Sequence, residues 1–228
     1  MEGWALYIAF LVPPLVLGLA VQWWLKRTWA ANAAVAVANS MSGAEVARAV
    51  LDANGLHGVP VSASPGGPLS DHYDPRKREV FLSEPVYAGS SVSSTAVAAH
   101  EVGHAIQHAQ AYTFMRLRAA IFPAVAFASN LWMWLLVAGL FLNALGLVFV
   151  AIALYAVAVL FHFVTLPVEF DASRRAGAQL RQLGLVTAAE GTGARKVLNA
   201  AALTYVAGAL AALTQLLYFV LVFLGNRD

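Results

Sequence analysis

Cysteine is absent from the 228 residues, which excludes both disulfide staples and thiolate metal ligands. Charge is almost as scarce. Only 11% of the residues are Asp, Glu, Lys or Arg and 60% are hydrophobic, against about 25% and about 45–50% in an ordinary soluble domain. Mean hydropathy is +0.69. Three stretches hold no charged side chain at all: Gly3 to Leu25, Ala119 to Val168, and Val197 to Asn226. Each exceeds the roughly 20 apolar residues that carry a helix across a bilayer. The middle one, at a rise of about 1.5 Å per residue, would span roughly 75 Å as one helix, far more than a hydrocarbon core of about 30 Å. It is therefore predicted to be two helices, turning at Asn143 to Gly146, where Asn and Gly interrupt the apolar run. His162 is the one titratable imidazole in these stretches, and it reads as an interfacial residue at a helix end. So few ionisable groups in lipid argue against a transporter or channel.

The expectation is a mostly α, polytopic membrane protein with transmembrane helices over 4–25, 119–142, 144–166 and 201–224, so the lipid bilayer is its first partner. The opening Met1-Glu2-Gly3 has no basic region, and Lys26 and Arg27 follow the first apolar run rather than precede it. That segment reads as a retained anchor rather than a signal peptide. Eight basic residues lie between the first and second helices and five between the third and fourth, which leaves Arg227 alone on the other side. The positive-inside rule then puts both segments in the cytoplasm and both termini outside. This distribution accounts for the net charge of +2 and the pI near 9.0 without a nucleic-acid partner.

The first cytoplasmic segment, 26–118, should hold a small α+β domain. Thr28 to Val50 suits a helix, with Ser42 and Glu45 as a capping box that opens its last part, Gly43 to Asn54, before Gly55 stops it. Val59 to Ala63 and Glu79 to Leu82 are strand candidates, which supply a short β-hairpin. The first is followed by a turn at Ser64 to Pro68. Asp71-His-Tyr-Asp-Pro75 between them reads as a turn, with Asp71 and Asp74 bonded to their own backbone. The basic run Arg76 to Arg78 is a solvated face able to touch anionic headgroups, and Glu79 to Leu82 is a candidate sheet edge for an extended substrate. Ser93 to Tyr112 is rich in helix formers.

That last helix carries Ala98-Ala-His-Glu-Val-Gly-His-Ala-Ile-Gln-His108. Residues four apart share one helix face, so His100 and His104 can converge on a tetrahedral zinc ion. Glu101 beside them can activate the water that attacks a peptide bond. Gly103 leaves room for a close neighbour. A third ligand is needed. In HExxHxxGxxH enzymes it would fall at position 110, which is Gln110, so that class is excluded. His108 lies one turn further along the face, but three successive turns span about 11–12 Å, too far for one ion. It reads as a polar residue near the site. Glu169, just past the third transmembrane helix and two residues after Pro167, is the better ligand, with Asp171 as the rival. The two lie about 200° apart on a helix, so only one can face the metal, and Asp171 has Arg175 at i+4. The 167–200 segment that bears them is expected to be helical. His72 is a candidate oxyanion or substrate donor, as are Tyr73 and Tyr87, whereas His57 reads as structural.

Together with Leu82-Ser-Glu84, Asp71 to Pro75 and Leu166-Pro-Val-Glu-Phe-Asp-Ala-Ser173, the HEVGH helix resembles the YugP-type neutral zinc metallopeptidases, membrane proteins of bacteria. The resemblance runs over nearly the whole chain. It implies a location in the bacterial inner membrane, a zincin-like domain and a gluzincin-like ligand set of His100, His104 and Glu169. Membrane gluzincins of the CAAX-protease and HtpX type often place an Asp four residues after the ligand Glu. That position is Ser173 here, and Asp171 is the candidate to act in its stead. The implied activity is zinc-dependent cleavage of peptide or membrane-protein substrates. The different-class alternative is a catalytically inactive scaffold or regulator of other membrane proteins that keeps a structural metal. No pattern identifies a regulatory membrane partner.

Overall fold

The structure is a computed structural model and describes residues 3–67 and 69–225. Met1, Glu2, Pro68 of the expected turn, Asn226 and Arg227 lie outside the described residues. Among the described residues, seven helices and a three-stranded sheet follow in order: α1 (Gly3–Ala33), α2 (Gly43–Ala53), β1 (Val61–Ala63), β2 (His72–Asp74), β3 (Glu79–Leu82), α3 (Glu84–Tyr87), α4 (Val92–Ala109), α5 (Thr113–Phe141), α6 (Leu145–Gln182) and α7 (Ala188–Gly225). The fold is mostly helical. Four helices, α1, α5, α6 and α7, are long and apolar enough to cross a membrane.

The chain divides into two units. The first takes Met1–Val21, Arg116–Pro167 and Thr204–Asp228. Aromatic contacts knit it together: Trp132 meets Tyr155 at 4.5 Å between ring centroids, Tyr155 meets Phe219 at 5.7 Å, and Tyr7 meets Tyr218 at 5.3 Å. Its α5–α6 turn falls at Asn143, whose φ of +53° is a conformation that Asn tolerates better than most residues. Gly139 lets the turn close, because a Cβ there would lie 2.9 Å from the Val148 nitrogen.

The second unit takes Gln22–Met115 and Val168–Leu203. Its core is built from Val46, Val50 and Leu51 of α2, Val80 and Leu82 of β3, Val102 and Ile106 of α4, and Ala176, Leu180, Val197 and Leu198 of α6 and α7. Several expectations change here. The predicted helix from Thr28 breaks after Ala33, because Val35 and Val37 exchange backbone hydrogen bonds with Val92 and Ser90 instead of continuing the coil. The Ser42/Glu45 capping box does form, and it opens α2. β1 starts at Val61 rather than Val59, since Pro60 has no N–H to give and only its carbonyl accepts from Val80. The strand order is β1-β3-β2, with β1 parallel and β2 antiparallel to β3.

The hairpin is therefore β2–β3, and the segment read as a turn at 71–75 supplies its first strand. Asp74 does cap the following turn through the Arg76 and Lys77 nitrogens, at 2.8 and 3.2 Å. Asp71 instead crosses to the Ser83 nitrogen and hydroxyl. Because β3 is the central strand, the sheet edges are β1 and β2.

α4 is capped by Ser91, which accepts from the Ser94 nitrogen, and it ends at Ala109 rather than Tyr112, with Ala111 at φ +51°. α6 runs through Pro167 without leaving helical geometry, so Glu169 sits in the same helix as the preceding apolar run and not in the first turn of a new one. After Gly184, at φ +63°, Thr187 and Glu190 form a second capping box that opens α7.

α4 and α6 approach closely at one point. A Cβ on Gly103 would lie 2.6 Å from the Ala172 carbonyl oxygen, so only glycine permits this spacing. Gly177, also on α6, has nothing nearer than the flexible end of Arg181 at 3.4 Å. Alanine is the better helix former by about 1 kcal/mol, whereas overpacking costs about 1–3 kcal/mol. Gly103→Ala should therefore lower the midpoint of thermal unfolding in detergent, while Gly177→Ala should leave it unchanged or raise it. Equal effects would show that the approach at Gly103 is not tight.

Candidate metal centre

His100, Gly103, His104 and Gln107 share the face of α4 that meets α6. His100 and His104 come from successive turns, with ring centroids 4.8 Å apart and planes at 81°. Their Nε2 atoms lie 3.3 and 3.6 Å from the Glu169 Oε2. One ligand atom from each residue can be chosen so that all three fall within 4.8 Å of one another. Zinc bonds of about 2.0–2.1 Å at tetrahedral angles place ligand atoms about 3.4 Å apart, so the donor set and its spacing fit this ion. His104 is 9% exposed and Glu169 2%.

The far nitrogen of each imidazole is also held. His104 Nδ1 lies 3.0 Å from the Gln107 Oε1. Gln107, wholly buried, uses its amide nitrogen on the Val168 carbonyl at 2.8 Å and on the Asp171 Oδ2 at 2.9 Å. With that nitrogen committed to two acceptors, only its oxygen can face His104, and His104 must donate from Nδ1. The Nε2 lone pair is then turned towards Glu169 and His100. Ser173 Oγ makes the matching contact with His100 Nδ1 at 3.2 Å. Asp171 is itself clamped by Arg174 and by Arg175, and Arg175 reaches on to the Gln110 Oε1 at 2.6 Å.

The His104 Nε2 lone pair and the Glu169 carboxylate are two acceptors that face one another, an arrangement stable only if a proton or a cation lies between them. Burial opposes ionisation of Glu169, yet the two imidazoles outweigh it and hold the carboxyl well below the usual carboxylate range. Burial likewise pushes His104 down, but the Glu169 hydrogen bond and the charges of Glu101 and Glu169 prevail and raise its pKa. Both shifts describe a pocket that favours positive charge at its centre. Glu101, beside His100, is 8% exposed, and no hydrogen bond or ion pair from the described residues engages its carboxylate.

Other sequence candidates fall elsewhere. The Tyr73 hydroxyl meets His108 Nδ1 at 2.8 Å, so His108 is occupied on the α4 flank and is not among the three clustered donors. Neighbouring residues on a strand face opposite ways. Tyr73 faces α4, so His72 faces away from it, stacked on Phe81 at 5.0 Å with Nδ1 on the Ser70 carbonyl at 2.8 Å. His57 bonds Asp52 on the surface.

The family model described as "putative neutral zinc metallopeptidase" matches residues 7–224. The chain belongs to that family. It is 46% identical over 223 residues to "Putative membrane protease YugP" of Bacillus subtilis (strain 168), covering 98% of this chain and 99% of that protein. No solved structure matches it.

Within this metallopeptidase family member, Gln107 is the residue that motif reading passes over. Its signal was present in the sequence as a polar side chain at i+3 from His104 on an otherwise Ala-rich face. Ser173, four residues after Glu169, likewise does a job that its type did not announce. Hydrogen-bond partners of metal-binding imidazoles typically contribute 10–100-fold in affinity. Gln107→Leu should therefore weaken zinc binding by about that factor in competition with a chromogenic chelator. Ser173→Ala should act in the same direction and less strongly. Unchanged affinity in both variants would remove these contacts from the site.

Proposed function

We propose that the protein is a membrane-embedded zinc endopeptidase, with the metal held by His100, His104 and Glu169 and with Glu101 as general base. One observation carries this reading: two imidazole Nε2 atoms and a buried carboxylate oxygen converge while the distal imidazole nitrogens are bonded elsewhere. Zinc, when bound, would lower the pKa of water to about 7 and polarise a carbonyl. Glu101 takes a proton from the attacking water on its free carboxylate and passes it to the amine nitrogen as the C–N bond breaks. Gln107 holds His104 in the tautomer that presents Nε2, and the Ser173 hydroxyl holds the His100 ring through Nδ1. Asp171, fixed by two arginines, orients Gln107 and is a positioning residue.

The unit that carries the site is proposed to be a zincin-like cytoplasmic domain of a plasma-membrane protein, with both termini outside, as the distribution of Lys and Arg favours. Its substrates would be peptides or membrane proteins reaching that surface. An extended peptide can add to a sheet edge, and β2 offers one. His72 and Phe81, stacked on the outward face, would then touch bound peptide rather than the reacting carbonyl. A non-catalytic scaffold with a structural zinc would call for a fourth protein ligand. The donor cluster among the described residues has three, which favours a site with an open position.

Glu101→Gln is expected to lower cleavage of a casein-like or membrane-protein substrate by about 10²–10⁴-fold while one zinc per chain remains. Retained cleavage would overturn the assigned base. Glu169→Ala should strip most of the zinc, whereas Asp171→Ala should keep it at saturating metal, as read by elemental analysis. The reverse pattern would make Asp171 the ligand.

A further inference from the structure

The 170–181 stretch of α6 and the 191–202 stretch of α7 enclose a cleft of about 300 Å³. Ser173, whose hydroxyl meets His100 Nδ1, lies on its wall. None of His100, Glu101, His104 and Glu169 lines the cleft, so it is not the place where a scissile peptide bond meets the metal.

Its chemistry is graded along its length. Phe170, Leu198 and Ala202 line one end, and Arg181 and Arg195 line the other, with Arg174 between them. A second hollow continues past Arg181 and Arg195 to Thr187 and Thr192. No carboxylate lines either hollow, and Arg181 and Arg195 form no ion pair among the described residues. Arg174 is committed to Asp171. The apolar end is the one from which α6 and α7 continue into their charge-free runs. Two unpaired guanidinium groups above an apolar floor match an amphiphile with an anionic head. Guanidinium suits phosphate in particular, because its planar fork presents paired N–H donors.

We infer that this cleft binds the phosphate of an anionic phospholipid, with the headgroup on Arg181 and Arg195 and the acyl chains along Phe170, Leu198 and Ala202. This rests on the reading of α6 and α7 as membrane-crossing and not on the peptidase chemistry. A peptide carboxylate would satisfy the arginines but leave the apolar floor without a partner. A free phosphate offers the same head without the chains. The lipid would sit one residue, Ser173, from a metal-binding imidazole, on the helix that also bears Glu169.

The test uses the full chain in nanodiscs of equal phosphatidylcholine and phosphatidylglycerol, with co-purifying lipid counted by native mass spectrometry. Wild type should retain phosphatidylglycerol in preference. Basic residues near an anionic surface contribute about 1 kcal/mol each, so R181Q/R195Q should cut that preference by about thirtyfold. A triple R76Q/K77Q/R78Q variant, which removes more charge outside the cleft, should lower it less than R181Q/R195Q does, and an equal or greater loss overturns the inference. Circular dichroism shows whether the double variant is folded. If it is not, R195Q alone should give about a fivefold loss.

Undiminished preference in a folded R181Q/R195Q or R195Q chain overturns the inference. Displacement of the lipid by added inorganic phosphate overturns it too, because a free phosphate is then the ligand. A chain that fails to enter the bilayer overturns the membrane reading along with it. Loss of peptidase activity or zinc has no bearing on this readout, so the two readings fail separately.

Discussion

The amide of Gln107 has one end that can only donate and one that can only accept, and the site depends on which way round it lies. Its nitrogen is fixed by the Val168 carbonyl and Asp171. Its oxygen therefore meets His104, and the tautomer of His104 follows. If the amide were reversed, His104 would offer a proton where a metal needs a lone pair. Burial enforces the choice, because an unpaired polar atom at this depth costs on the order of 1–3 kcal/mol. The arginine clamp on Asp171 extends the same constraint outward. A surface charge pair thereby sets the orientation of a buried ring through one intermediate carboxylate and one amide.

The glycine at 103 is the geometric counterpart of that bond. Gln107 can reach Val168 and Asp171 only if the α4 backbone comes close to α6, and the missing Cβ allows the Ala172 carbonyl to approach. Packing and hydrogen bonding thus require each other here. Neither the amide relay nor the three-donor cluster would survive a wider helix spacing.

Much of this was legible in the sequence. Charge-free runs are coarse signals averaged over twenty or more residues, so the four apolar helices and the turn at Asn143 could be read. The spacing of His100 and His104 is a property of helix geometry alone. Glu169 was separable from Asp171 by angle and by the availability of Arg175. Other features depended on partners distant in sequence. Asp71 is of a type that forms local turns, yet it accepts from Ser83, and 72–74 pair with β3. The 34–42 segment has helix-forming composition, yet its valines pair with residues 90–92. The break at Ala33 was invisible because its cause lies some sixty residues away. Ser173 was recognisable as the wrong residue for an expected Asp, but not as the partner of His100.

α6 joins an apolar run to Glu169 with no loop between them. A loop can absorb an added or lost residue by changing shape. A continuous helix cannot, since each residue turns it by about 100° and advances it by about 1.5 Å. One residue inserted between Glu169 and Ala172, whose carbonyl packs on Gly103, would swing the carboxylate off the face that meets His100 and His104, and would do so without altering any residue of the motif. Spacing along such a helix is as much a part of the donor cluster's specification as residue identity.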